Sequence, residues 1–133
     1  MPILAPQIGT VTLLQYILGV IPGGPVVYHL YNNNHTPQEG DTLGQYNETA
    51  DAGYSAEFVL PGEWVIDEMP AGGGIAQAPP IAFILYGTDT IYGYFVTDQS
   101  SNSLLWAEAL SGGPVLILAS GSVIQLTPLI QAI

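Results

Sequence analysis

The sequence predicts an all-β fold, an antiparallel β-sandwich or barrel preceded by one short N-terminal helix. Three observations carry that expectation. Runs of β-branched and aromatic residues alternate with period two along most of the chain. The connections between the later runs are only a few residues long and rich in Gly, Ser, Asp and Asn, as in antiparallel all-β folds. Helical periodicity is confined to one stretch near the N-terminus. The 133 residues fit one domain, with residues 1–24 as a helix-and-connector arm and residues 25–133 as the sandwich.

Each element has a local reason. Thr10 suits a helix N-cap, Leu13, Leu14, Ile17 and Leu18 then fall on one face, and Gly19 suits the stop. The segment 20–25 (VIPGGP) reads as a connector. Strands are expected over 26–31, 54–60, 81–86, 90–97, 103–110 and 115–126, with Trp64, Val65 and Ile66 resuming the second after Pro61 and Gly62. Between them, 32–40 (NNNHTPQEG) reads as a polar loop and 69–80 (MPAGGGIAQAPP) as a loop with too few large side chains for a core. Pro128 is expected to end the last strand. Both faces of 91–96 are apolar, which predicts a central strand covered on both sides, with Leu30, Ile91, Phe95, Leu105 and Trp106 buried.

Charge narrows function further. The chain has 11 Asp plus Glu and neither lysine nor arginine, where average usage would give roughly 16 basic residues. Nucleic-acid binding through phosphates is therefore not expected, because nothing displaces their counterions. A P-loop lysine, an arginine finger and a Schiff-base lysine are excluded outright. Cysteine is absent, which removes disulfides, thiolate metal sites and a cysteine nucleophile. The N-terminus lacks the basic region of a secretory signal, and no apolar run reaches 18 residues, so neither a signal peptide nor a membrane span is expected.

Candidate sites are few. His29 and His35 are the only histidines; His29 is expected to line a sheet face and His35 a loop. Together with Asp41 they lack the tight spacing of a metal motif. Asn32, Asn33, Asn34, Asp41, Glu48 and Asp51 form an oxygen-rich region suited in chemistry to calcium, without an EF-hand pattern. All the acids are read as solvated surface. Tyr86, Tyr92, Tyr94, Phe95 and Trp106 suit either a sheet core or a carbohydrate-stacking platform. The nucleophile-elbow pattern G-x-S-x-G is absent, and no acid–base pair has a spacing that marks catalysis, so no enzyme, cofactor or metal is expected.

Several segments carry a resemblance in order. They are 30–37 (LYNNNHTP), 46–50 (YNETA), Gly53-Tyr54, 91–98 (IYGYFVTD), 104–108 (LLWAE) and Thr127-Pro128. This string resembles small virion proteins of tailed double-stranded DNA bacteriophages, of which 91–98 and 104–108 are the most specific pieces. The chain departs from that pattern in having no basic residues near the helix or after Glu108. The resemblance implies a structural, non-enzymatic virion protein. The expected role is an auxiliary or decoration protein bound to a phage capsid, with a tail or neck component, or a carbohydrate- or host-surface-binding module, as alternatives.

The placement of charge suggests how such a protein would attach. Residues 1–38 and 109–133 carry no charged side chain. Placing those ends in a contact avoids burying any charge. Leu13, Leu14, Ile17, Leu18, Leu129, Ile130 and Ile133 are therefore the expected interface, toward the major capsid protein, other virion proteins or further copies of the chain.

Overall fold

The computed structural model describes residues 6, 9, 11–13, 15, 18, 23–100, 102–118 and 121–132. Val26–Tyr31 forms β1, a run of β-branched and aromatic residues that lies inside a four-stranded sheet. Its neighbours are β2 (Glu57–Val59) on one side and β7 (Gly93–Asp98) on the other, and β8 (Leu104–Ala109) completes the order β2-β1-β7-β8. Every pairing in this sheet is antiparallel, with Tyr28 opposite Val96 and Val96 opposite Trp106. The remaining strands pair as β5 (Ile81–Leu85) with β10 (Ser122–Leu126), and β6 (Asp89–Ile91) with β9 (Val115–Ile117). A third group is the sheet β11-β4-β3, made of Leu129–Ala132, Gly74–Gln77 and Val65–Glu68. The fold is all-β and sandwich-like, as the periodicity predicts.

Alternation sends the two faces of β1 and β7 into different clusters. Tyr28, Leu30, Tyr94 and Val96 join Phe83, Leu85, Ile91, Ile117 and Ile124 in the main core. Tyr31 and Phe95 join Leu104, Ala107 and Tyr46 in a second, smaller cluster. The register shifts between Val96 and Thr97 so that β8 carries one extra residue, and both Leu105 and Trp106 reach the main core. All six residues of β7 are buried. Gly93 is required there, because a Cβ would collide with the Glu108 carbonyl and the Tyr31 ring.

The helix begins by covering the β8 edge. Gly9, Val11–Leu13 and Gln15 are helical, and a Cβ on Gly9 would strike the Leu104 and Leu105 carbonyls. That close approach shields a strand edge that would otherwise be open. The expected N-cap Thr10, stripe residues Leu14 and Ile17, and stop Gly19 lie outside the described residues.

Five expectations are corrected. The strand expected over 54–60 shrinks to Glu57–Val59, because Tyr54 uses its side chain instead: its hydroxyl accepts the Leu30 N–H at 3.0 Å. The strand expected over 90–97 divides at Tyr92, so that β6 pairs with β9 while β7 stays in the four-stranded sheet. The strand expected over 115–126 likewise breaks after Ile117, where Gly121 adopts positive φ and donates its N–H to Leu118 O. The 69–80 loop contains β4, the centre of a sheet. Finally, Pro128 does not end the sheet: its carbonyl accepts the Ala78 N–H at 3.1 Å and β11 follows at once.

Candidate functional site

The polar segment 32–51 folds over the second face of β1 and β7 and is held by its own oxygens. Where β2 ends, Asn47–Thr49 takes over beside β1: Asn32 N–H donates to Asn47 O, Thr49 N–H donates to Leu30 O, and Tyr31 bridges Glu48. This places Glu48 against His29. His29 Nδ1 lies 2.7 Å from Glu48 Oε2 and its Nε2 2.9 Å from Thr97 Oγ1. A carboxylate only accepts, so Nδ1 carries the proton. The imidazole stacks on Phe95 at 4.6 Å, and Tyr54 donates a second hydrogen bond to Glu48 at 2.6 Å. Burial pushes the Glu48 carboxyl up, but the hydrogen bonds from His29 and Tyr54 and the His29 charge prevail and hold it below its ordinary value.

A second pair lies deeper. Asp41 is only 7% exposed. Its Oδ2 receives Tyr46 Oη at 2.6 Å, His35 Nε2 at 2.7 Å and Gln38 N–H at 2.9 Å. Burial raises its pKa, and these three donors outweigh burial, so the net shift is downward. The same carboxylate adds to burial in pushing Tyr31 up to about 12. Asp98 is also buried, at 1% exposure. Its backbone closes the turn to β8, and its carboxylate accepts from Ser100. Reading every acid as solvated surface is therefore wrong for Asp41 and Asp98. Their burial depends on donors that composition does not reveal.

The oxygen-rich region does not converge on one point. Asn32 and Asn33 accept from Asn47, Asp41 and Glu48 serve separate histidines, and Asp51 accepts the Tyr86 and Gly87 N–H groups. Among the described residues no three His, Cys, Asp or Glu side chains group as a metal site. The order Glu48–His29–Thr97 has the form of a hydrolytic triad, but Thr97 is 1% exposed near the C-terminal end of β7, where a substrate carbonyl cannot approach its hydroxyl. The network is a set of staples that closes a loop over a sheet. Nor do the aromatics form one platform: Tyr94 and Trp106 lie in the main core, Phe95 lies on the opposite face, and Tyr86 is exposed elsewhere.

The expected interface residues separate. Leu18 is 75% exposed and Leu129 is partly exposed, whereas Leu13 and Ile130 pack against the main core. Leu14, Ile17 and Ile133 lie outside the described residues. Other apolar side chains stand out of the sheets. Ile84 and Val123 face each other across β5 and β10, both exposed. Leu118 and Tyr86 lie beside them at Gly121, also exposed. β5 and the residues after Glu108 carry no acid, and a carboxylate held at the rim of the patch is Asp51, on the Tyr86 and Gly87 N–H groups. The sequence signal for the patch is the run of apolar residues at consecutive positions in β5, which leaves Ile84 on the outer face while Phe83 and Leu85 are buried. A third apolar set, Phe58, Leu60, Val65 and Ile66, is exposed among acids. Among the described residues no helix is long and apolar enough to cross a membrane. No protein-family model, curated protein or solved structure matches this chain.

Proposed function

We propose that the chain is a structural, non-enzymatic virion protein, an auxiliary protein that decorates a phage capsid. The observation that carries this reading is the exposed apolar patch of Ile84, Tyr86, Leu118 and Val123 on an acidic chain that has no lysine or arginine. Contiguous exposed apolar side chains mark contact surfaces. A contact placed on these side chains would cover no carboxylate but Asp51, which the Tyr86 and Gly87 N–H groups already satisfy, while the exposed acids elsewhere keep particles apart by repulsion. The resemblance to phage virion proteins supports the same reading, and its two most specific segments correspond to β6–β7 and β8. Histidine–carboxylate pairs spent on fastening a loop to the sheet agree with a scaffold role. Leu18 and Leu129 extend the proposed contact toward the chain ends.

The test combines sedimentation of the isolated chain with co-sedimentation on empty capsid shells of the phage that encodes it. The chain is expected to bind shells in saturating, regular numbers. Val123→Asp is expected to abolish that binding without unfolding the sheet, since it places an unpaired charge in a dry contact. A chain that ignores shells and instead joins tail or neck preparations moves the contact to that part of the particle. A monomer that ignores every virion component and binds sugars overturns the proposal.

A further inference from the structure

A different surface has the chemistry of a peptide-docking edge, and its reading does not depend on the particle. Among the described residues β3 pairs only with β4 and forms one edge of the sheet β11-β4-β3. All four of its residues are exposed, Ile66 by 78%. Met69 N–H donates to Gly73 O at the turn that joins the two strands. In this register Asp67 with Ile75 and Val65 with Gln77 are the hydrogen-bonded pairs. The backbone groups of Ile66 and Glu68 therefore point away from the sheet. Asp67 Oδ1 already accepts the Glu68 N–H at 2.8 Å. What remains outward is two carbonyls and the single N–H of Ile66.

On the face of β3 and β4 that carries Val65, Asp67, Ile75 and Gln77 lies a groove of about 390 Å³, lined further by Glu63, Ala78, Pro79 and Pro80. Edge and groove present carbonyls, the Glu63 and Asp67 carboxylates and apolar side chains, against the Ile66 N–H and the Gln77 amide as donors. No lysine or arginine exists in the chain to answer the carboxylates. We infer that β3 and this groove receive an extended, lysine- or arginine-bearing segment of another protein, which adds as a further strand. Cross-strand pairing specifies its pattern. Cations would stand opposite Glu68 and Asp67 and apolar residues opposite Ile66 and Val65. An antiparallel occupant thus reads Lys-Lys-Val-Val or its arginine equivalent. A second copy of this chain is a poor occupant. Pairing two β3 strands about Ile66 would gather two sets of Glu63, Asp67 and Glu68 with no positive charge between them.

The probe is the blocked peptide Thr-Lys-Lys-Val-Val-Thr, titrated into the full chain and followed by amide chemical shifts and by fluorescence of Trp64, which directly precedes β3. Saturable shifts are expected in 63–68 and 75–80, weakening as salt rises. Asp67→Lys is expected to weaken binding about tenfold, by turning an attraction into a repulsion, while Glu39→Lys, exposed on the distant loop, leaves it unchanged. A peptide with proline in place of the first valine is expected to lose binding, since the ladder would lose a donor. Equal binding by the proline peptide, equal loss in Glu39→Lys, or dimerisation of the chain through β3 would each overturn the inference.

Discussion

At the scale of single residues, buried polar atoms dominate. Asp41 organises the loop because three donors meet on one of its oxygens. Asp41→Asn keeps the size but turns charge-assisted bonds into weaker ones and sets amide hydrogens against existing donors. It is expected to cost about 1–3 kcal/mol at neutral pH by urea denaturation. The pH dependence has a definite sign. The Asp41 and Glu48 carboxyls are both lowered in the folded state from ordinary values of 3.8 and 4.5. Their contribution is thus present above those values and lost as the pH falls through the lower, folded ones. The stability gap between wild type and Asp41→Asn is expected to narrow below pH 3.8; a gap that stays constant from pH 7 downward refutes the linkage. Trp106 supplies the apolar counterpart. It is 4% exposed in the main core and meets Tyr28 edge-on at 6.2 Å. Trp106→Ala is expected to cost about 3–5 kcal/mol, and a loss under about 1 kcal/mol would place the ring outside the core.

At the scale of elements, the strands differ in how far sequence alone reveals them. β1, β5 and β8 were legible to within a residue or so at their ends, because large apolar and aromatic residues run through them. β4 was not. Gly74, Ile75, Ala76 and Gln77 have little strand preference of their own, and β4 exists because β3 and β11 pair with it on both sides. β11 was hidden by Pro128, whose missing N–H says nothing of its carbonyl. The second buried face was half legible: apolar residues on both sides of 91–96 predicted a cover, but nothing marked the polar loop as that cover. Only the fold brings Tyr46 onto Phe95 at 5.3 Å. This dependence of β4 on its neighbours predicts a local failure. Ile75→Pro removes a ladder donor in the central strand. Hydrogen exchange is expected to lose protection in 65–68 and 129–132 while 26–31 and 93–98 keep theirs. Loss of protection throughout would show that all the sheets unfold as one unit.

At the scale of the whole molecule, the governing fact is a net charge of -11 with no lysine or arginine to offset it. The ion pairs among the described residues are the two histidine–carboxylate pairs, and each is local. The 11 acids are strung from Glu39 to Glu108, so folding gathers into one small body negative charge that an expanded chain would spread. Salt should therefore stabilise this protein through screening alone. Raising ionic strength from 0.01 to 0.15 M shortens the Debye length from about 30 to about 8 Å, and repulsion between distant carboxylates falls with it. The melting temperature at pH 7 is expected to rise over that range, and to rise equally with sodium chloride and potassium chloride, as a screening effect does. The same field keeps nucleic acid away: no binding to duplex DNA is expected at physiological salt, because no cation displaces phosphate counterions. Calorimetry checks the first and fluorescence anisotropy the second. A melting temperature that falls with added salt would mean that attraction, not repulsion, prevails among these charges. That attraction would have to come from His29 and His35, the only side chains able to supply a positive charge.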